Sequence, residues 1–180
     1  MALIVLHIDT EHDTSLMKAL YEGLGDVILL YNPTRLEFEQ VMEADLTADF
    51  MCVGHGNAHG LFNSDCSGYI IDGANADLLR DRNRVVCIWC WAVDFGKRNK
   101  LKGFFTSMFV SNPVEASWYG LDKMPVEVYD RQNLWLCDEV RTKLNENVSM
   151  DTWVSDMQEK CDKSLDFVRF NYDRIEYLNP

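Results

Sequence analysis

The chain alternates between unbroken apolar runs and segments whose apolar residues recur every three or four positions. The run 2–9, ALIVLHID, carries no polar alternation, which fits a strand covered on both faces. Residues 14–25 follow with Leu16, Ala19, Leu20 and Leu24 at helical spacing. Asp13 or Thr14 is the expected N-cap and Gly25 the expected stop. The alternation repeats with a buried strand over 26–32 ended by Pro33, an amphipathic helix over 35–44, and a third apolar run over 48–56 that closes in Gly-His-Gly. GLFN and GYIID then flank Ser64-Asp65-Cys66-Ser67 as a short hairpin, and 73–82 predicts a helix capped by Asp72 or Asn75. Buried strands are predicted over 84–92 and 102–112, with Pro113 opening a helix over 113–121.

Strands that alternate with helices predict an α/β fold, a three-layer sandwich with a mostly parallel sheet flanked by helices. Its core is expected over about 1–121. The periodicity from about 125 to 180 predicts a helical C-terminal extension, with Trp135, Trp153 and Phe167 filling its core. The whole, at 180 residues, is expected to be a single domain.

Charge narrows the choice of partners. Lys and Arg total 17 against 29 Asp and Glu, a net charge of −12, which argues against nucleic acid, whose phosphates need clustered cations. No apolar run is long enough to cross a bilayer, so no membrane partner is expected. The opening segment reads as a strand rather than an export signal, and the six cysteines are therefore expected as free thiols in a reducing cytoplasm.

Ligands of parallel sheets bind beyond the carboxyl ends of the strands. Those ends carry two reactive side chains. His55 follows Phe50-Met51-Cys52-Val53-Gly54, and Cys90 follows Val85-Val86-Cys87-Ile88-Trp89. If the two strands are neighbours, about 4.8 Å apart, the side chains at their tips lie within bridging reach. A thiol needs a base or a positive charge beside it to act as a nucleophile at neutral pH, and an imidazole supplies that. Gly56, with no Cβ, lets its N–H approach an oxyanion. Asp94 and Asp72 are candidates to line a substrate pocket for a basic side chain. His7, mid-strand, reads as a core histidine, while His12 and His59 read as loop residues.

The pair FMCVGHG and VVCIWC resembles the caspase, gingipain and clostripain superfamily of cysteine peptidases, in which an apolar strand ends in His-Gly and a second ends in the nucleophilic Cys. GFFTSMFVSNPVEASWYG is similar to the later strand and helix of that fold. The resemblance covers about residues 2–121. It implies a caspase-like fold and a peptide or protein substrate. Cys90 would be the nucleophile, His55 the general acid and base, and the N–H groups of Gly56 and Cys90 the oxyanion donors. It implies no cofactor and no metal. Trp89 beside the thiol motivates an alternative, a catalytically silent binding or regulatory domain of the same fold, because an indole there could fill a substrate pocket. A zinc module built from His55, His59, Cys87 and Cys90 is a third reading. Residues three apart on a strand point to opposite faces, which sets Cys87 against Cys90 as co-ligands.

Overall fold

The computed structural model describes residues 2–180. Its strands are β1 (Leu3–His7), β2 (Val27–Tyr31), β3 (Asp49–Val53), β4 (Gly56–Asn57), β5 (Gly60–Phe62), β6 (Tyr69–Ile71), β7 (Val85–Ile88), β8 (Gly103–Phe105) and β9 (Glu176–Leu178). Its α-helices are α1 (His12–Leu16), α2 (Arg35–Ala44), α3 (Asp77–Arg80), α4 (Ala92–Arg98), α5 (Pro113–Trp118), α6 (Val126–Asn145), α7 (Trp153–Lys160) and α8 (Asp166–Tyr172). Six strands form one mixed sheet in the order β2-β1-β3-β7-β8-β9, parallel throughout except for β9, which runs antiparallel to β8. The segment 56–71 forms a separate antiparallel sheet, β4-β5-β6.

Strand alternation divides the core in two. Leu3, Val5, Met51, Val53, Val86, Ile88 and Phe104 face one side, where Tyr129, Leu136 and Val140 of α6, Trp153 of α7 and Phe167 of α8 cover them. Ile4, Leu6, Phe50, Cys52, Val85, Cys87 and Phe105 face the other, against Phe38 and Met42 of α2, Phe95 of α4 and Leu61 of the small sheet. The chain is thus an α/β protein with a mostly parallel six-stranded sheet between two layers. Among the described residues no helix is long and apolar enough to cross a membrane.

Several local expectations need correction. β2 is not buried: it is an edge strand, and Ile28, Leu29 and Tyr31 are exposed. The fifth strand ends at Phe105 instead of 112. Beyond it, both backbone groups of Val110 are taken by a side chain: Val110 N–H donates to Asn171 Oδ1 at 2.7 Å and Asn171 Nδ2 donates to the Val110 carbonyl at 2.9 Å. With its hydrogen bonds met from α8, that stretch has no need of the sheet. The first helix is one short turn capped by Glu11, and it continues as a 3₁₀ turn over Met17–Leu20. The helix predicted over 73–82 shrinks to Asp77–Arg80, because Asp72 and Asn75 are occupied in a turn of their own, with Asp72 N–H donating to Asn75 Oδ1. The C-terminal segment is helical as expected except at its end, where β9 adds a strand.

Candidate active site

The cleft grows out of the sheet topology. β1 and β3 are adjacent, but the chain leaves β1 for β2 on one side and reaches β3 on the other, so a crevice opens beyond their carboxyl ends. β3 and β7 are paired neighbours, with Val53 opposite Ile88. His55 lies two residues past Val53 and Cys90 two residues past Ile88, so both emerge at the same edge. Both border one cleft of about 690 Å³. β1 sends Glu11 and Asp13 into it by way of α1, and the segment after β8 sends Ser111 and Glu115. Four strand ends therefore converge on one opening.

His55 is held with its Nε2 buried and unpaired, 4.0 Å from Asp13 Oδ1. Asp13 is itself fixed from three directions. Its Oδ1 accepts the Thr14 N–H at 2.9 Å, and its Oδ2 accepts Ser111 Oγ–H at 2.5 Å and Asn112 Nδ2–H at 3.3 Å. The Ser111 N–H donates to Glu115 Oε2 at 2.7 Å, and the Ser111 hydroxyl lies 3.0 Å from the same oxygen. A hydroxyl has one proton. With Asp13 taking it at the shorter distance, Glu115 is held mainly through the Ser111 N–H. Burial, followed by the nearby Asp13 charge, pushes Glu115 above the usual carboxylate range. Sequence spacing gave no sign of this cluster, since Asp13 and Ser111 are 98 positions apart.

Cys90 sits on the turn from β7 into α4 and is half-buried. Its Sγ points toward the Phe109 carbonyl at 3.9 Å, a weak thiol contact. Among the described residues no hydrogen bond joins that sulfur to His55, and none uses the Cys90 backbone N–H. Burial, reinforced by Glu115 and Asp13, pushes the thiol up to about 12. The next residue, Trp91, is held at φ 69° and ψ 22°, a left-handed conformation that a bulky residue adopts only when its surroundings enforce it. Backbone strain of this kind persists only where the surrounding structure over-determines it.

The remaining predicted residues are distributed unequally. Gly56 borders the cleft on β4, and its missing Cβ has a packing role: an added Cβ would stand 2.3 Å from Trp89 Cδ1. Trp89 is only 2% exposed. It turns to the opposite layer, where its Nε1 donates to the Asn57 carbonyl at 3.1 Å and its ring meets Phe95 edge-on. The indole therefore does not fill the cleft. Asp72 and Asp94 are not brought to it. Asp72 forms a bidentate pair with Arg35, at 2.7 and 3.0 Å, and Asp94 is exposed on α4. The zinc set is dispersed as well: Cys87 lies buried against Cys52, sulfur to sulfur 3.5 Å, and His59 lies beside Arg98. His7 is a satisfied core histidine, with Nδ1 2.8 Å from Tyr21 Oη and Nε2 2.8 Å from the Thr14 carbonyl. No family model and no curated protein matches the chain.

Proposed function

We propose that the protein is a cysteine peptidase of caspase-like type, with Cys90 as nucleophile and His55 as its proton carrier. The observation that carries the reading is the emergence of both side chains from adjacent parallel strands, each two residues past a paired position, into a single cleft. The high position of the thiol makes this a general-base mechanism rather than one with a preformed thiolate. His55 takes the Cys90 proton as sulfur attacks the peptide carbonyl, and then gives it to the departing amine. Asp13, 4.0 Å from the ring's Nε2, stabilises the imidazolium that forms in between. The unused Cys90 N–H is the first candidate to hold the developing oxyanion, with the Gly56 N–H as the second. Water then releases the acyl group from sulfur. The 4.0 Å separation of His55 and Asp13 suits a resting site that tightens when substrate binds.

A second reading, a silent binding domain on the same scaffold, is favoured by the same thiol: burial and two carboxylates hold Cys90 in its neutral form. A peptide-library digestion separates the two. The peptidase reading predicts hydrolysis that disappears in both Cys90→Ala and His55→Ala. Cleavage unchanged in Cys90→Ala, or none in the wild-type protein, contradicts it.

A further inference from the structure

We infer that β2 is a dimerisation edge, at which two copies of this chain pair β2 with β2, antiparallel, about a two-fold axis through Leu29. The inference stands apart from the peptidase reading. β2 ends the order of the six-stranded sheet, and among the described residues no strand pairs with its outer side. The direction of its backbone groups is fixed at both ends. The Leu3 N–H donates to the Asp26 carbonyl at 3.0 Å, and the Asn32 N–H donates to the His7 carbonyl at 2.9 Å. With Leu3 opposite Val27 and His7 opposite Tyr31, Ile28 and Leu30 turn their N–H and C=O groups to β1. Val27, Leu29 and Tyr31 therefore turn theirs outward. In an antiparallel pair, opposite residues exchange both hydrogen bonds at every second position. An axis at Leu29 sets Leu29 against Leu29 of the second copy, and Val27 against Tyr31 of the second copy. All three outward residues then give and receive a bond, six bonds in all. No other two-fold register engages all three.

The side chains fit the same register. Every cross-strand pair in it is apolar: Leu29 with Leu29, Val27 with Tyr31, and Ile28 with Leu30. Ile28, Leu29 and Tyr31 are 40%, 45% and 53% exposed, so they have surface to lose. Asp26 and Asn32, at φ 56° and 47°, bracket the five residues with left-handed turns. In this register they stand opposite each other, carboxylate beside amide, and no acid of β2's ends faces its own copy. Edge strands that stay single commonly carry a lysine, a proline or a bulge. β2 holds none of these, and its pairing with β1 is unbroken. The opposite edge differs, since β9 carries Glu176 in an ion pair with Lys97 at 2.8 Å. One five-residue edge is small beside the roughly 800 Å² per partner of a stable complex. Each copy also carries a net charge of −12, which repels the other until salt screens it. A weak dimer, with a Kd in the micromolar range and tighter at higher salt, follows.

The test is sedimentation velocity of the full-length protein from about 1 to about 200 µM, a span that brackets a micromolar Kd. A dimer fraction that rises with concentration, and rises further with added salt, is expected. Leu29→Lys sets two like charges face to face on the axis and is expected to weaken the dimer at least about tenfold. Circular dichroism checks that this variant is folded. Cross-linking reads the register without adding a charge. Hydrogen-bonded antiparallel partners have Cα atoms about 5.5 Å apart, within disulfide reach. With glutathione disulfide as oxidant, Leu29→Cys is expected to give a covalent dimer, two protein thiols yielding one disulfide and two molecules of glutathione. Peptide mapping should place the link between the two copies of position 29. Tyr31→Cys, which faces Val27 instead of its own copy, is expected to link far less. A monomer at every concentration overturns the proposal and leaves the edge to a strand of another protein. So does a dimer that survives Leu29→Lys or is lost on adding salt, and so does linkage at position 31 as ready as at position 29.

Discussion

At the scale of single residues the protein sets a thiol, an imidazole and three carboxylates in one small volume, and their mutual charges decide what the thiol can do. Burial, with Glu115 and Asp13 adding to it, raises Cys90 to about 12, so on the order of 10⁻⁵ of it is thiolate at pH 7. Because the raised group is neutral below its pKa, its intrinsic reactivity increases as pH rises. Alkylation of Cys90 by iodoacetamide, followed by peptide mapping, is expected to accelerate about tenfold per pH unit from 7 to 10. Exposed Cys66 serves as the internal competitor. Glu115→Gln, which removes a neighbouring negative charge while keeping the amide-sized shape, is expected to speed the Cys90 reaction at every pH in that range. A pH-independent rate for Cys90 would show that its environment is not the one described. Asp13, Ser111 and Glu115 could not be read from the sequence as a set. Asp13 read as a helix cap, Ser111 as the end of a strand and Glu115 as part of the helix after it, and only the convergence of the β1 and β8 exits places the three together.

At the scale of elements, the most informative contact is the one between the two motif-bearing turns. Trp89 of the cysteine turn lies on Gly56 of the histidine turn, and its indole N–H reaches the next carbonyl. This one packing unit holds the tips of β3 and β7 in register beyond their last paired residues. Gly56→Ala would place a methyl group 2.3 Å from the indole and 2.6 Å from the Gly60 carbonyl. Neither neighbour is a free side-chain end, so a cost of about 1–3 kcal/mol is expected. For a chain of this size that lowers Tm by several degrees, since about 1 kcal/mol corresponds to roughly 2–4 °C. Gly25→Ala is the control, because nothing stands within 4 Å of its added Cβ. Equal thermal stability of the two variants would contradict the packing described. Element placement was legible where the apolar run was unambiguous, as at β1, β3 and β7. It failed at β2, where an apolar run looks the same on an edge as in the centre, and at residues 106–112, where Asn171 replaces a neighbouring strand.

At the scale of the whole molecule the C-terminal region is part of the core and of the site rather than an appendage. α6 lays Tyr129, Leu136 and Val140 across the sheet, α8 ties down Val110 through Asn171, and Asn133 of α6 donates to the Ser111 carbonyl at 3.1 Å. The segment that carries Phe109 and Ser111 to Cys90 is thus positioned by two asparagines, 22 and 61 residues away in sequence. Periodicity showed those helices but not what they hold, because a buried asparagine leaves no pattern. The central claim is that Cys90 and His55 work as one unit on a peptide carbonyl. Its most direct measurement is labelling of the native protein at neutral pH with a peptidyl acyloxymethyl ketone, read by intact mass and peptide mapping. A single adduct on Cys90, formed in the wild-type protein and abolished in His55→Ala, is the result expected. An adduct that forms equally fast without His55, or that falls on Cys66 and spares Cys90, would contradict it.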